Sequence, residues 1–374
     1  MLLPLVILLA FCSCASAVWQ MPLRRPAPDS FRTEEPLSAA ASPGDMGADA
    51  WTETMAETNT FTPTNYTVVK DFFVQSPPGF NSTGFDPLTS SFGLIDRSPS
   101  RWRTFRRAVQ RLNAEADSHT AYKVFYLARH GEGFHNVGER VHGSKAWDAY
   151  WSMLNGDGNI TWGPDPLLTP LGISQAARNT VAWTQEAKAG APLPERLYSS
   201  PLSRAMSTLE ITWEDLLLDE VRPVIKENLR EVIGVHTCDK RRTKSYIRKH
   251  YAHFDFEVPF SEHDQRWSPE WRESDRQATF RLQRALDELF ATDSATYISI
   301  TAHGGAIGAF LRACGHPNAQ TIGLRTGSMV PVVVKAVDYR AQANELLAGG
   351  QSLAAPPRQT QASSNGRLRQ SIEL

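Results

Sequence analysis

The run Val124-Phe125-Tyr126-Leu127-Ala128, followed at once by Arg129-His130-Gly131, constrains this chain more than any other stretch. An unbroken apolar run of this length reads as a strand covered on both faces, the condition of a central strand in a parallel sheet. Such sheets bind ligands beyond the carboxyl ends of their strands. An arginine, an imidazole and a glycine are therefore delivered to a binding edge. The design recurs at Tyr297-Ile298-Ser299-Ile300-Thr301-Ala302, followed by His303-Gly304-Gly305 and an apolar helical stretch from Ala306 to Cys314. The two glycines open that helix, and its unpaired N–H groups face any anion held there. Between the two motifs, Arg196-Leu197-Tyr198-Ser199 reads as a short strand, with Ser200 as N-cap, Pro201 at the first helical position and Arg204 in the first turn. Three strand-to-helix junctions thus present two histidines and two arginines.

The rest of the chain supports an α/β fold. Thr169 as N-cap, Pro170 at the first helical position and Gly190 past the end frame one helix. Leu282, Ala285, Leu286, Leu289 and Phe290 mark a second, and Val330 to Val337 is a last β-rich run. Strands alternating with helices predict a three-layer sandwich, a mainly parallel sheet with helices on both faces, plus an irregular N-terminal extension. The expected organisation is a signal peptide at 1–17, an extension at 18–118, the main domain at 119–338 and a disordered Ala/Gln/Ser/Gly-rich tail at 339–374. Within the extension, Trp102, Phe105, Val109 and Leu112 recur at helical spacing, predicting an amphipathic helix near 101–115. The aromatics from Tyr66 to Phe92 are suited to packing an extended arm onto the main domain. The arginines around the helix suit either an acidic partner or a solvated face.

Leu2 to Phe11 is apolar and Ala15-Ser16-Ala17 fits a cleavage site, which predicts a secretory route; the alternative is an anchor that stays on. The sequons at Asn65, Asn81 and Asn159 agree with that route. The formal charge of −1 provides no field for nucleic acid or an anionic membrane. After signal cleavage no membrane partner is expected. Cys238 and Cys314 form no disulfide framework; they either pair with each other, or Cys314 is a buried small residue on its helix. No His/Cys cluster has zinc spacing and there is no P-loop, so no metal and no cofactor are expected.

With these residues in order, the chain resembles the histidine phosphatase superfamily, also called phosphoglycerate-mutase-like. The matching positions are Arg129-His130-Gly131, Asn136, Ser199-Pro201-Arg204, Glu231 and His303-Gly304. A closer resemblance, to the fungal and plant phosphoglycerate mutase family proteins, runs through His130 to Val137, Leu168-Thr169-Pro170-Leu171-Gly172, and Leu229-Arg230-Glu231 on to Cys238-Asp239-Lys240-Arg241-Arg242. It covers about residues 120 to 338.

The resemblance implies phosphoryl transfer from a phosphorylated small molecule through a phosphohistidine. His130 is the nucleophile, with its other ring nitrogen held by a backbone carbonyl. Arg129, Arg204, His303, Asn136 and the Gly304 N–H hold the phosphoryl group. Glu231 is the proton shuttle, with Glu227 as the alternative. Cys238–Arg242 is either a second anion subsite or a solvated loop. Glu132, His135, His142 and His236 have no assigned role; His135 and His236 suit the pocket mouth, against a structural role for each. Trp147, Trp151 and Trp162 suit a pocket wall or core packing. Gly133-Phe134-His135-Asn136 stands where glycolytic mutases have Ser-x-Trp-Asn, which favours a phosphatase over a mutase. A non-catalytic phospho-ligand binder is the third reading.

Overall fold

A computed structural model of the chain describes residues 64–338. The expectations for the leader, for residues 18–63 and for the tail lie outside the described residues. Seven strands form one sheet: β1 (Thr64–Val69), β2 (Thr120–Arg129), β3 (Arg196–Ser199), β4 (Val224–Ile225), β5 (Asp255–Phe256), β6 (Tyr297–Ala302) and β7 (Met329–Asp338), in the order β1-β7-β2-β6-β3-β4-β5. The pairs β1–β7 and β7–β2 are antiparallel, and the remaining neighbours are parallel.

The helices are α1 (Arg101–Ala114), α2 (Phe134–His142), α3 (Ser144–Ala149), α4 (Pro170–Lys188), α5 (Ser203–Trp213), α6 (Lys244–His250), α7 (Asp275–Thr292) and α8 (Gly304–Ala313). Alternation along β2 decides which helices cover which face. Phe125 and Leu127 pack with Leu282, Leu286 and Leu289 of α7 and Ile307 and Phe310 of α8. Val124 and Tyr126 turn to the other face and meet Trp102 and Phe105 of α1, Trp183 of α4 and Met206 and Trp213 of α5. The mainly parallel three-layer α/β sandwich follows from that two-sided burial. Thr169 caps α4 by accepting from Gly172 N at 3.1 Å, with Pro170 beside it, and Gly190 follows the helix at φ +94°. Among the described residues no helix is long and apolar enough to cross a membrane.

The sheet and core run across residue 118, and residues 64–118 contribute an edge strand, a helix and buried side chains to them. Strand β1 pairs with β7 as an edge strand; Tyr66 and Val68 are buried, while Asn65 and Thr67 face outward. Phe73, Phe92, Leu94, Trp102, Phe105 and Val109 are buried in the same cluster as Val124 and Tyr126. α1 falls where the periodicity places it. Arg101 pairs with Glu186 at 2.9 Å, whereas Arg103, Arg107 and Arg111 are exposed. Cys238 and Cys314 are both free thiols in separate clusters, Cys314 in the α8 core, so no bridge joins them.

Trp102 tests whether 64–118 belongs to the folding unit. It is fully buried and donates its indole N–H to Glu186 at 2.6 Å. Trp102→Ala should cost about 3–5 kcal/mol in denaturant unfolding. A loss below about 1 kcal/mol would mean that this segment only decorates a core that stands without it.

Candidate active site

The β2–β6 register sets Arg129 opposite Ala302. The next residues on each strand, His130 and His303, therefore emerge side by side, with ring centroids 5.0 Å apart. His130 N donates to Ala302 O at 3.0 Å and Ser200 N to Thr301 O at 3.1 Å. The carboxyl ends of β2, β6 and β3 thus deliver His130, His303 and Ser200 in a row.

His130 is buried, and its Nδ1 lies 2.6 Å from Gly131 O. A carbonyl only accepts, so Nδ1 carries the hydrogen and Nε2 keeps its lone pair. Burial, with Arg204 and Arg129 nearby, holds the imidazole well below its usual proton affinity, so it is neutral at pH 7. Gly131 has no room for a side chain: a Cβ there would strike the Gly172 carbonyl of α4.

The two arginines are anchored through their terminal nitrogens. Arg129 Nη1 donates to Leu324 O at 2.7 Å. Arg204 donates from Nη1 to Cys238 O at 2.7 Å and from Nη2 to Asp239 Oδ1 at 2.9 Å. Both Nε atoms are buried without a partner, and buried donors are rarely left so. Arg204 is in the first turn of α5 as expected, but the helix begins at Ser203, with Leu202 as the capping position. The helix start is displaced from Ser200–Pro201, although the Ser200 hydroxyl still accepts from Leu202 N at 3.3 Å and also bonds His303 Nε2 at 2.7 Å. His303 Nδ1 is buried without a partner, and burial and Arg204 hold this ring neutral as well.

Asn136 Oδ1 accepts from Gly133 N at 3.0 Å across the first turn of α2, which leaves its NH2 as the group able to reach a ligand. Glu231 closes the site in a way the sequence did not suggest. Its carboxylate accepts from Gly305 N at 3.1 Å, Ala306 N at 3.0 Å and Val232 N at 3.0 Å. The group that meets the N-terminus of α8 is the protein's own carboxyl side chain, beside the helix that begins after His303.

Arg281 was missed. This arginine sits among Ala278, Leu282 and Ala285 of α7, and a charge on an apolar stripe is the signal that could have found it. It forks onto Glu273 at 2.7 and 2.6 Å and donates to the carbonyls of Asn228, Arg230 and Glu231 at 2.8, 3.0 and 3.2 Å. The loop carrying Glu231 is clamped from behind. Glu227 accepts from Arg230 at 3.3 Å and from Arg241 Nε, so it is bound into a buried ion network.

The Cys238–Arg242 run divides. Asp239 fixes Arg204, Arg241 is buried on Glu227 and Ser261, and exposed Lys240 lies 4.7 Å over the Trp267 ring. Trp147 and Trp162 pack on each other and around Cys238, the core reading. Glu132 accepts from Thr169 Oγ1 at 2.8 Å and Arg140 at 2.6 Å, and His142 bonds Asp157 at 3.0 Å. His236 is 3.9 Å from Asp148. His135 is buried 5.3 Å from the His130 ring. Among the described residues, His236, Cys238 and Asp239 group as metal-type ligands, but Asp239 is already held by Arg204 and lies 3.5 Å from Arg272.

The chain matches the histidine phosphatase superfamily (branch 1) over residues 125–346. It belongs to the histidine phosphatase superfamily. A probable phosphoglycerate mutase of Arthroderma benhamiae is 42% identical over 286 residues, 72% of this chain and 84% of that protein. A probable phosphoglycerate mutase of Saccharomyces cerevisiae is 34% identical, over 69% of this chain and 90% of that protein. Among solved structures, a mycobacterial glucosyl-3-phosphoglycerate phosphatase aligns with 56% of this chain and 92% of its own at 23% identity and a TM-score of 0.36.

The buried imidazoles of this superfamily member make its stability pH-dependent. His130, His135 and His303 all have folded affinities well below the unfolded value of about 6.5. Below that pH the unfolded chain takes up protons the folded one refuses, so stability present above it is lost as pH falls. Each group therefore steepens the fall of unfolding free energy as pH drops below about 6.5. His316, pushed down to about 4 by burial, acts in the same direction. His130→Asn should make the slope of unfolding free energy against pH below about 6.5 shallower. An unchanged slope would show that His130 is not held neutral.

Proposed function

We propose that the protein is a phosphomonoesterase that hydrolyses phosphorylated small molecules through a phosphohistidine on His130. One observation carries this reading. His130 Nε2 keeps its lone pair between Arg129 and Arg204, and the Nε donors of both arginines have no protein partner.

In the first step Nε2 bonds to phosphorus as the phosphorus–oxygen ester bond breaks. Glu231 gives its proton to the departing alkoxide. In the second, water adds to phosphorus, the nitrogen–phosphorus bond breaks, and Glu231 takes the water's proton. Arg129, Arg204, His303, the Asn136 amide and the Gly304 N–H stabilise charge spread over the equatorial oxygens. The two arginine cations among them remove the need for a metal ion.

The similarity to probable phosphoglycerate mutases favours a second reading, a phosphoglycerate-type mutase. A mutase must keep water from the phosphohistidine until the product has turned. Phosphate release from a panel of monoesters in chelator, measured beside 3- to 2-phosphoglycerate interconversion, separates the two. We expect release from several monoesters without a bisphosphate primer, and acid-labile phosphate on His130. Efficient interconversion with negligible release would establish the mutase; neither activity would favour a binding protein. Glu231→Gln should slow an alkyl phosphate by about two orders of magnitude and an activated aryl phosphate far less. Equal losses would place the proton shuttle elsewhere.

We further propose a secretory route. In its support, the acceptor residues Asn65, Asn81 and Asn159 are all exposed. Secretion from a eukaryotic host should give an N-terminus at Val18 and a mass drop on glycosidase treatment. A cytosolic product that begins at Met1 would refute it.

A further inference from the structure

His135 lies in the first turn of α2, five positions after the nucleophile. It is buried, yet neither ring nitrogen bonds to another described residue. Its Nδ1 lies against Gly133, only 2.7 Å from where a Cβ on that glycine would stand. Nε2 is the nitrogen left to face the site. A structural histidine so enclosed normally finds a partner, as His142 does on Asp157 and His303 on Ser200. The ring lies 5.3 Å from that of His130 at 52°, close to the 5.0 Å and 56° of His303. Both imidazoles therefore lie beside the nucleophile at similar ring separations. Burial and the charges of Arg204 and Arg129 keep the His135 ring neutral, and a neutral ring offers one N–H donor.

We propose that His135 is a further catalytic residue, whose Nε2–H donates to an equatorial oxygen of the phosphoryl group as it transfers to and from His130. This rests on the phosphohistidine reading above. The equatorial oxygens belong to the transferred group and not to the leaving group. The His135 donor therefore acts alike on every ester, in contrast to Glu231.

The test uses His135→Phe, which keeps a planar ring and removes the donor, and His135→Asn, which keeps a donor. His135→Phe should lower kcat/KM about 100-fold, equally for alkyl and aryl phosphates, with orthovanadate inhibition weakened in parallel. His135→Asn should recover part of both. The unmutated enzyme gives an independent measurement: in spectra of 15N-histidine-labelled protein, orthovanadate should shift the His135 ring nitrogens together with those of His130 and His303. Activity of His135→Phe within threefold of the parent, a loss confined to alkyl phosphates, or His135 signals unmoved by bound orthovanadate would each overturn the proposal. In those cases the parent still releases phosphate, so only the role of His135 falls. A parent that neither releases phosphate nor binds orthovanadate would bring down the phosphohistidine reading, and this inference with it.

Discussion

The parallel pairing of β2 with β6 is the constraint on which the rest of the site depends. With Arg129 opposite Ala302, and His130 N bonded to Ala302 O, the two histidines leave the sheet at the same height. A slip of one residue would turn the alternate side chains of β2 to the wrong face. Phe125 and Leu127 would then leave α7 and α8, and Val124 and Tyr126 would leave α1, α4 and α5. The burial that stabilises the fold therefore also fixes the His130–His303 spacing. At roughly 1.5–3 kcal/mol for each buried large apolar side chain, this register is strongly preferred over its neighbours.

Around that pair the chain concentrates positive charge in a buried place. Two arginines beside neutral imidazoles repel one another, and each unit-charge interaction at 4 Å amounts to about 4 kcal/mol at an intermediate effective dielectric. Asp239 offsets part of this at Arg204, and Glu231 lies near enough to Arg129 to oppose the effect of its burial. The remaining positive potential suits a dianion. Burial and the same charges keep the imidazoles deprotonated, so in the proposed mechanism the feature suited to phosphate also leaves His130 its lone pair. A protonated His130 would offer no lone pair.

Residues that sit at a strand-to-helix junction were legible because their signals are local. Arg129, His130, His303 and Arg204 each follow a short β-rich run, and the structure places them together. Ser200 was read correctly as a polar residue at a strand end that bonds the following backbone, but the helix starts later than expected, and the second contact of its hydroxyl, to His303, lies a hundred positions away where no local rule reaches. Glu231 and Glu227 were indistinguishable by composition; what separates them is that one reaches the α8 N-terminus and the other is enclosed by Arg230 and Arg241. β1 was hidden for a different reason. Six residues buried on one side only make a weak pattern, and their partner β7 comes far later in the chain.

Arg281 shows what sequence reasoning cannot weigh at such a site. A buried ion pair such as Arg281–Glu273 adds little net stability over a well-packed apolar pair, because both charges lose their water. Its geometry nevertheless serves a purpose that apolar packing could not. One guanidinium satisfies a carboxylate and three carbonyls of the turn bearing Glu231, backbone groups that would otherwise be costly to bury. That turn is irregular, and no ladder of sheet bonds holds it. With its backbone fixed from α7 and its carboxylate fixed from α8, Glu231 is tied to both helices of one face of the sheet. In the role proposed for it, Glu231 must stay within hydrogen-bond reach of the leaving oxygen, and for that role position is worth more than the stability given up in burying the pair.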